Sequence, residues 1–220
     1  KFKTNYTYDK NLFTHRRNFL LNKYYSDVYT SISSIINETK NTKVNIIDLG
    51  CGEGLNDKYI LSNLKIDYCF LGIDYNKDAI NLASDYNSSN RFYFNGDVNN
   101  IPIASDSIDV IIDFLSPYSE SEVKRVLKKG GIFIKIAPSS NYLLELREAS
   151  GLGKYQKQQE IIDNLGKYFK DIVTENYQRT FKIEKDDIEN LIGMTPLKLK
   201  ANNLKIEQIT IDLNVYKMAK

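Results

Sequence analysis

The chain has 220 residues, room for one large domain or a domain with a small appendage. Its 42% apolar content suits a packed core and excludes wholesale disorder, and a net charge of +2 excludes a strongly basic or acidic character overall. Two cysteines, Cys51 and Cys69, are too few for a disulfide framework or a four-ligand zinc site.

Residues 11–39 read as one helix, with Leu12, Phe13, Phe19, Leu20, Tyr24, Val28, Ile32, Ile35 and Ile36 at roughly helical spacing. Residues 43–49 read as a buried parallel strand, followed by a helix to about Asn63. "DYCFLGID" (67–74) is a second strand, and "KDAINLASDY" (77–86) its helix. "RFYFNGD" (91–97) and "IDVIIDFL" (108–115) are the third and fourth strands. "SESEVKRVLK" (119–128) is a helix, and Gly130–Gly131 turn the chain into the strand "IFIKIAP" (132–138). Helices are expected over 141–149 and 155–169, a strand over 172–183, a helix over 184–193 and a last strand over 205–216. Strands alternating with helices predict an open parallel sheet, to which the last two strands could add an antiparallel edge. No apolar run approaches the ~20 residues that span a bilayer, and no secretory signal is present, so a cytoplasmic protein without membrane contact is expected.

The charge is unevenly spread. Residues 1–40 hold 7 Lys/Arg against 3 Asp/Glu, and residues 41–150 hold 11 against 15. Within that acidic middle, "VNIIDLGCGEGLN" (44–56) ends a strand in a glycine-rich turn. Its glycines, Gly50, Gly52 and Gly54, follow G-x-G-x-G rather than the G-x-G-x-x-G of a dinucleotide site. Glu53 inside the turn would oppose a pyrophosphate, and no G-K-[ST] supplies a P-loop lysine. S-adenosylmethionine fits better, because it combines a cationic sulfonium and an ammonium with no phosphate. Acids at the strand ends agree. Asp74, 26 residues after Asp48, is placed to accept both ribose hydroxyls, and Asp97 to meet an adenine amino group, with Tyr75 and Val98 as their neighbours. Any one acid could be a solvated strand end; the set with the turn is more telling. Cys51 reads as a small residue packed beside the glycines, and His15, the only histidine, as a surface or phosphate-contacting group.

"DLGCGEG", "GIDYNKDAI", "GDVNNIP" and "VLKKGGIFIKIAP" resemble the motifs of class I S-adenosylmethionine-dependent methyltransferases. "HRRNFLLNKYY", "SPYSESEVKRVLKKGG", "NYLLELRE" and "GMTPLKLKA" narrow the resemblance to the RlmA family, which methylates N1 of a guanine in 23S ribosomal RNA. The resemblance implies an α/β, Rossmann-like fold: a largely parallel seven-stranded sheet, helices on both faces and an N-terminal helical extension over 1–40 ahead of the methyltransferase domain (41–220). It implies S-adenosylmethionine contacts from Tyr25, Asn56, Asp57 and Tyr142, with Gly50, Cys51, Gly52, Gly54 and Phe114 around the site, and S-adenosylhomocysteine as product. Ribosomal RNA is the implied partner, and a homodimer is possible. Family members carry an N-terminal zinc module; no such cysteines occur here, and no metal is expected. "DFL" (113–115) also departs from the family's "RIY".

Asp113 is the candidate acceptor for the guanine proton. Phe114 and Tyr118 are candidates to stack on an extruded base, and Arg16, Arg17, Lys23, Lys198 and Lys200 to meet phosphates. The rivals are a small-molecule methyltransferase of the same fold and, less favoured, a non-catalytic protein that only binds S-adenosylmethionine.

Overall fold

A computed structural model describes residues 9–195 and 206–220. Lys198 and Lys200, and most of "GMTPLKLKA", lie outside the described residues. The helical N-terminal stretch is two helices, α1 (Lys10–Leu21) and α2 (Ser26–Asn37). Asp9 caps α1, its side chain accepting from the Leu12 N–H at 3.1 Å. The chain breaks at Lys23, which takes a left-handed φ of 56°. Apolar spacing runs unbroken across this joint, so periodicity reads it as a single helix.

Among the described residues seven strands follow the order β3-β2-β1-β4-β5-β7-β6. They are β1 (Lys43–Leu49), β2 (Asp67–Asp74), β3 (Arg91–Asn95), β4 (Ile108–Phe114), β5 (Leu127–Pro138), β6 (Ile172–Lys182) and β7 (Gln208–Ala219). The first five are mutually parallel; β7 runs antiparallel to β5, and β6 antiparallel to β7. The expected antiparallel edge is therefore present, with the last strand inserted inside it. The order reverses between β1 and β4, the switch point where open α/β sheets bind ligands. β5 starts at Leu127, earlier than expected, because Leu127 pairs with Ile108 before residues 128–131 bulge out and Ile132 resumes opposite Val110.

Both faces of the sheet are covered, as near-continuous apolar strands require. Ile46, Phe70, Val110, Ile112 and Ile134 pack with α1, α2 and α3 (Leu55–Leu61). Ile47, Leu49, Ile111 and Phe133 pack beneath α5 (Glu120–Val126) and α7 (Gln158–Gly166). The connection β2–β3 carries α4 (Lys77–Ala83), and α6 (Leu144–Ala149) follows β5. α8 (Lys185–Gly193) docks on α1: His15 Nδ1 bonds Asn190 Oδ1 at 3.0 Å, and Tyr24 donates to Asp187 at 2.7 Å. His15 is thus taken up by helix packing. Among the described residues no helix is long and apolar enough to cross a membrane.

Gly72 of β2 lies against the ring of Tyr93, which a Cβ there would meet at 2.4 Å, with Cys51 Sγ at 3.0 Å. Gly72→Ala is expected to lose about 1–3 kcal/mol of stability through overpacking. Urea unfolding measures this; an unchanged midpoint would show that Tyr93 has room to give.

Candidate active site

Gly50, Gly52 and Gly54 all take left-handed φ values, +75°, +58° and +76°. This lets the turn after β1 fold tightly beneath its neighbours. Its Gly50 and Cys51 amides both donate to the Ile73 carbonyl. Asp74 fastens the turn from the next strand: Oδ2 accepts from the Gly52 N–H at 2.9 Å and Oδ1 from the Asn76 N–H at 2.8 Å.

Under this turn Asp48, Glu53 and Asp57 are buried. Among the described residues neither carboxylate oxygen of Glu53 or of Asp57 has a hydrogen-bond donor. Asp48 and Asp57 are close enough that the charge of one raises the pKa of the other. Burial above all pushes both up, Asp48 to about 7; the Asp48 charge raises Asp57 further, and Asp113 and Asp74 raise Asp48. Burial also raises Glu53, partly offset by Arg16, whose Nε lies 3.4 Å away. Buried acids without donors suit a ligand that brings positive charge and N–H groups. The sulfonium and ammonium of S-adenosylmethionine meet that description, so Asp48, Glu53 and Asp57 fit its cationic end. Cys51 is buried amid these acids, which push its thiol up after burial itself; it packs and does not act as a nucleophile.

Two tyrosines stand beside the turn, Tyr25 buried and Tyr142 half-buried. Tyr25, between α1 and α2, and Tyr142, after β5, join hydroxyls at 2.8 Å. They open onto a cavity of roughly 520 Å³, also lined by Arg16, Ser116, Lys135 and Arg147. A larger depression, roughly 670 Å³, lies between α2 and the β6–β7 edge, lined by Asp27, Glu175 and Lys217 and by none of the residues around the glycine turn. Asn56 accepts from Tyr29 Oη at 2.6 Å, so it orders the aromatic wall.

Several side chains stand elsewhere than expected. Asp113 is fully buried, away from any substrate: its Oδ1 accepts from Lys135 Nζ at 2.7 Å and from the Ser116 N–H and hydroxyl at 3.1 Å each, and its Oδ2 has no partner among the described residues. Burial raises its pKa, and Lys135 chiefly opposes this. Phe114 is buried between Tyr25 and Tyr29, ring centroids 5.7 and 5.9 Å away, and so cannot stack on a base. Tyr118 packs on Phe133 at 5.2 Å under the Lys135 ammonium. Arg17 is held at the surface by Asp85 and Tyr86, whereas its neighbour Arg16 turns inward over Gly52. Asp97 is exposed beyond the end of β3, its Oδ1 accepting from the Asn99 N–H at 2.8 Å. Tyr75 is 81% exposed, and Val98 is half-buried against the second core.

Lys135 is the group that sequence reading overlooks. A lysine interrupting the apolar run "IFIKIAP" is its one signal. It also donates to the Ser116 carbonyl at 2.7 Å, while Ser116 Oγ donates to the Leu49 carbonyl. The loop after β4 is thereby tied to the end of β1.

This sheet order, glycine turn and acid set define a class I S-adenosylmethionine-dependent methyltransferase. Residues 40–192 match a methyltransferase domain model, and the chain belongs to that family. YxjB of Bacillus subtilis (strain 168), a provisionally named 23S rRNA (guanine-N(1)-)-methyltransferase, is 31% identical over 132 residues, 57% of this chain and 45% of its own. The 23S rRNA (guanine(748)-N(1))-methyltransferase of Streptomyces fradiae is 22% identical over 153 residues, 69% of this chain and 54% of its own. The chain thus spans about half the length of the curated relatives it matches. In fold it is similar to the YcgJ protein of Bacillus subtilis, with a TM-score of 0.59 at 15% identity, covering 87% of this chain and 98% of that one.

The raised acid pair makes stability depend on pH. A carboxyl near 3.9 when unfolded and about 7 when folded keeps its proton in the folded state between those values. Its stabilising contribution is complete below about pH 4 and is lost as pH rises through about 7. Asp48→Asn is expected to raise the melting temperature of the ligand-free protein more at pH 8 than at pH 5, and to weaken S-adenosylhomocysteine binding. Thermal melts and calorimetry check both; an equal shift at both pH values would show that Asp48 is ionised throughout.

Proposed function

We propose that the protein transfers a methyl group from S-adenosylmethionine to N1 of a guanine in 23S ribosomal RNA. The observation that carries this reading is the cavity beside the glycine turn: tyrosines line it, and a buried lysine stands in its wall. The names of the curated relatives and the sequence motifs on both sides of the core support the RNA acceptor.

S-adenosylmethionine, when bound, supplies a methyl group already activated by the sulfonium. The protein then has to position, select and manage charge. Asp74 is assigned the ribose hydroxyls and Asp97 the adenine edge. Asp48, Glu53 and Asp57 receive the cationic end, beside Tyr25 and Tyr142. Guanine N1 must lose a proton, which leaves negative charge shared with the neighbouring carbonyl oxygen. Lys135 has three N–H donors, two of which Asp113 and Ser116 occupy. The third is available for that oxygen, so Asp113 becomes a positioning residue that steadies Lys135. Arg17 and Lys23 remain candidates for phosphate contact.

A cavity of this size also suits a small-molecule acceptor, which is the second reading. Incubation with methyl-labelled S-adenosylmethionine and unmethylated 23S ribosomal RNA separates the two. Label at guanine N1 is expected; label on a metabolite alone would overturn the RNA reading. The double change Asp113→Asn with Lys135→Met removes both charges without stranding either in the core. It is expected to keep cofactor affinity and to lower the transfer rate about 100-fold. A wild-type rate would show that Lys135 serves only the fold.

A further inference from the structure

Arg16 is carried by α1, outside the sheet, yet its guanidinium lies over the glycine turn. A Cβ built on Gly52 would meet one terminal nitrogen at 3.0 Å and the other at 3.7 Å. Its Nε faces Glu53, and its side chain is 24% exposed. Neither terminal nitrogen donates to an acceptor among the described residues, so one edge of the planar fork is open. Burial opposes the charge of Arg16, but Glu53, Tyr25 and Asp74 outweigh it and keep the group protonated.

The surroundings are strongly acidic, with Asp48, Glu53, Asp57 and Asp74 clustered about the turn. The methionyl end of S-adenosylmethionine is a zwitterion on a sulfonium. Its ammonium is welcome there, but its carboxylate would be repelled unless a cation received it. Arg16 is the positive group felt in common by Asp48, Tyr25, Tyr29 and Tyr142. An arginine fork with two free parallel N–H donors matches a carboxylate in both charge and shape.

We propose that Arg16 is the carboxylate-binding residue of the cofactor site, so that α1 is a wall of that site as well as a support for the fold. This replaces the phosphate contact expected for Arg16. Cofactor binding then depends on α1 staying docked between α8 and the Asp85–Tyr86 turn, to which Arg17 anchors it at 3.0 Å and 2.7 Å. The inference rests on the cofactor assignment and not on the identity of the acceptor.

The test compares S-adenosylmethionine with its decarboxylated analogue, which keeps the ammonium and sulfonium and lacks only the carboxylate. Calorimetry on the wild-type protein is expected to show the analogue binding about 10- to 100-fold more weakly. In Arg16→Met that ratio should fall to about one or below, because the carboxylate now faces unscreened acids; Arg16→Lys should give an intermediate ratio. Hydrogen exchange in α1 should slow more with S-adenosylmethionine than with the analogue. A wild-type ratio near one overturns the proposal without any variant, and so does a ratio above ten that persists in Arg16→Met or is unchanged in Arg16→Lys. No acceptor is present in these measurements, so absence of methylated ribosomal RNA leaves their outcome intact, and their failure leaves the RNA reading intact.

Discussion

Three carboxylates buried under one glycine turn are the constraint around which the rest of this molecule is arranged. Asp48, Glu53 and Asp57 are removed from water without enough donors to compensate them. Desolvated acids are costly, and each is relieved differently. Burial holds Asp48 and Asp57 towards their protonated forms, and Glu53 meets an arginine from another part of the chain. Under the proposed cofactor assignment, the residual negative potential receives the sulfonium, and the cost in the empty state becomes affinity in the bound state.

The second ionic device, Asp113 with Lys135, lies one strand over. A buried ion pair seldom adds net stability against a well-packed apolar alternative. Here it fixes geometry: Lys135 draws in the Ser116 carbonyl, and Ser116 reaches the Leu49 carbonyl. A Cβ on Gly50 would meet the Ser116 Cβ at 2.5 Å, so the two loops have no slack. The glycine turn and the loop that lines the tyrosine cavity are thereby held in one register.

Much of this was legible beforehand. The strands announce themselves as short apolar runs closed by acids, and G-x-G-x-G with Asp48 and Asp74 marks the binding edge. What escaped notice depends on partners far apart in sequence. Arg16 and Glu53 are 37 positions apart, and Asp113 and Lys135 are 22, so no local pattern pairs them. Arg16 and Arg17 read identically as a basic dipeptide; helical geometry sends one inward and the other to Asp85. The joint at Lys23 was hidden because Leu20, Tyr24 and Val28 keep helical spacing across it. Phe114 looked available for stacking because it follows a strand, but the aromatic cluster with Tyr25 and Tyr29 had already claimed it.

The position of β7 has a bearing on how the chain is made. β7 is the last strand in the chain, yet in the sheet it separates β5 from β6. Among the described residues β6 pairs only with β7, over eleven consecutive residues. A nascent chain that has not yet extruded residue 208 therefore leaves one edge of β5 and both edges of β6 unpaired. Open edges invite pairing with other chains, and the delay before closure sets how long that hazard lasts. The cofactor turn sits on the early strands, so the cofactor half of the sheet is synthesised well before the edge that seals it.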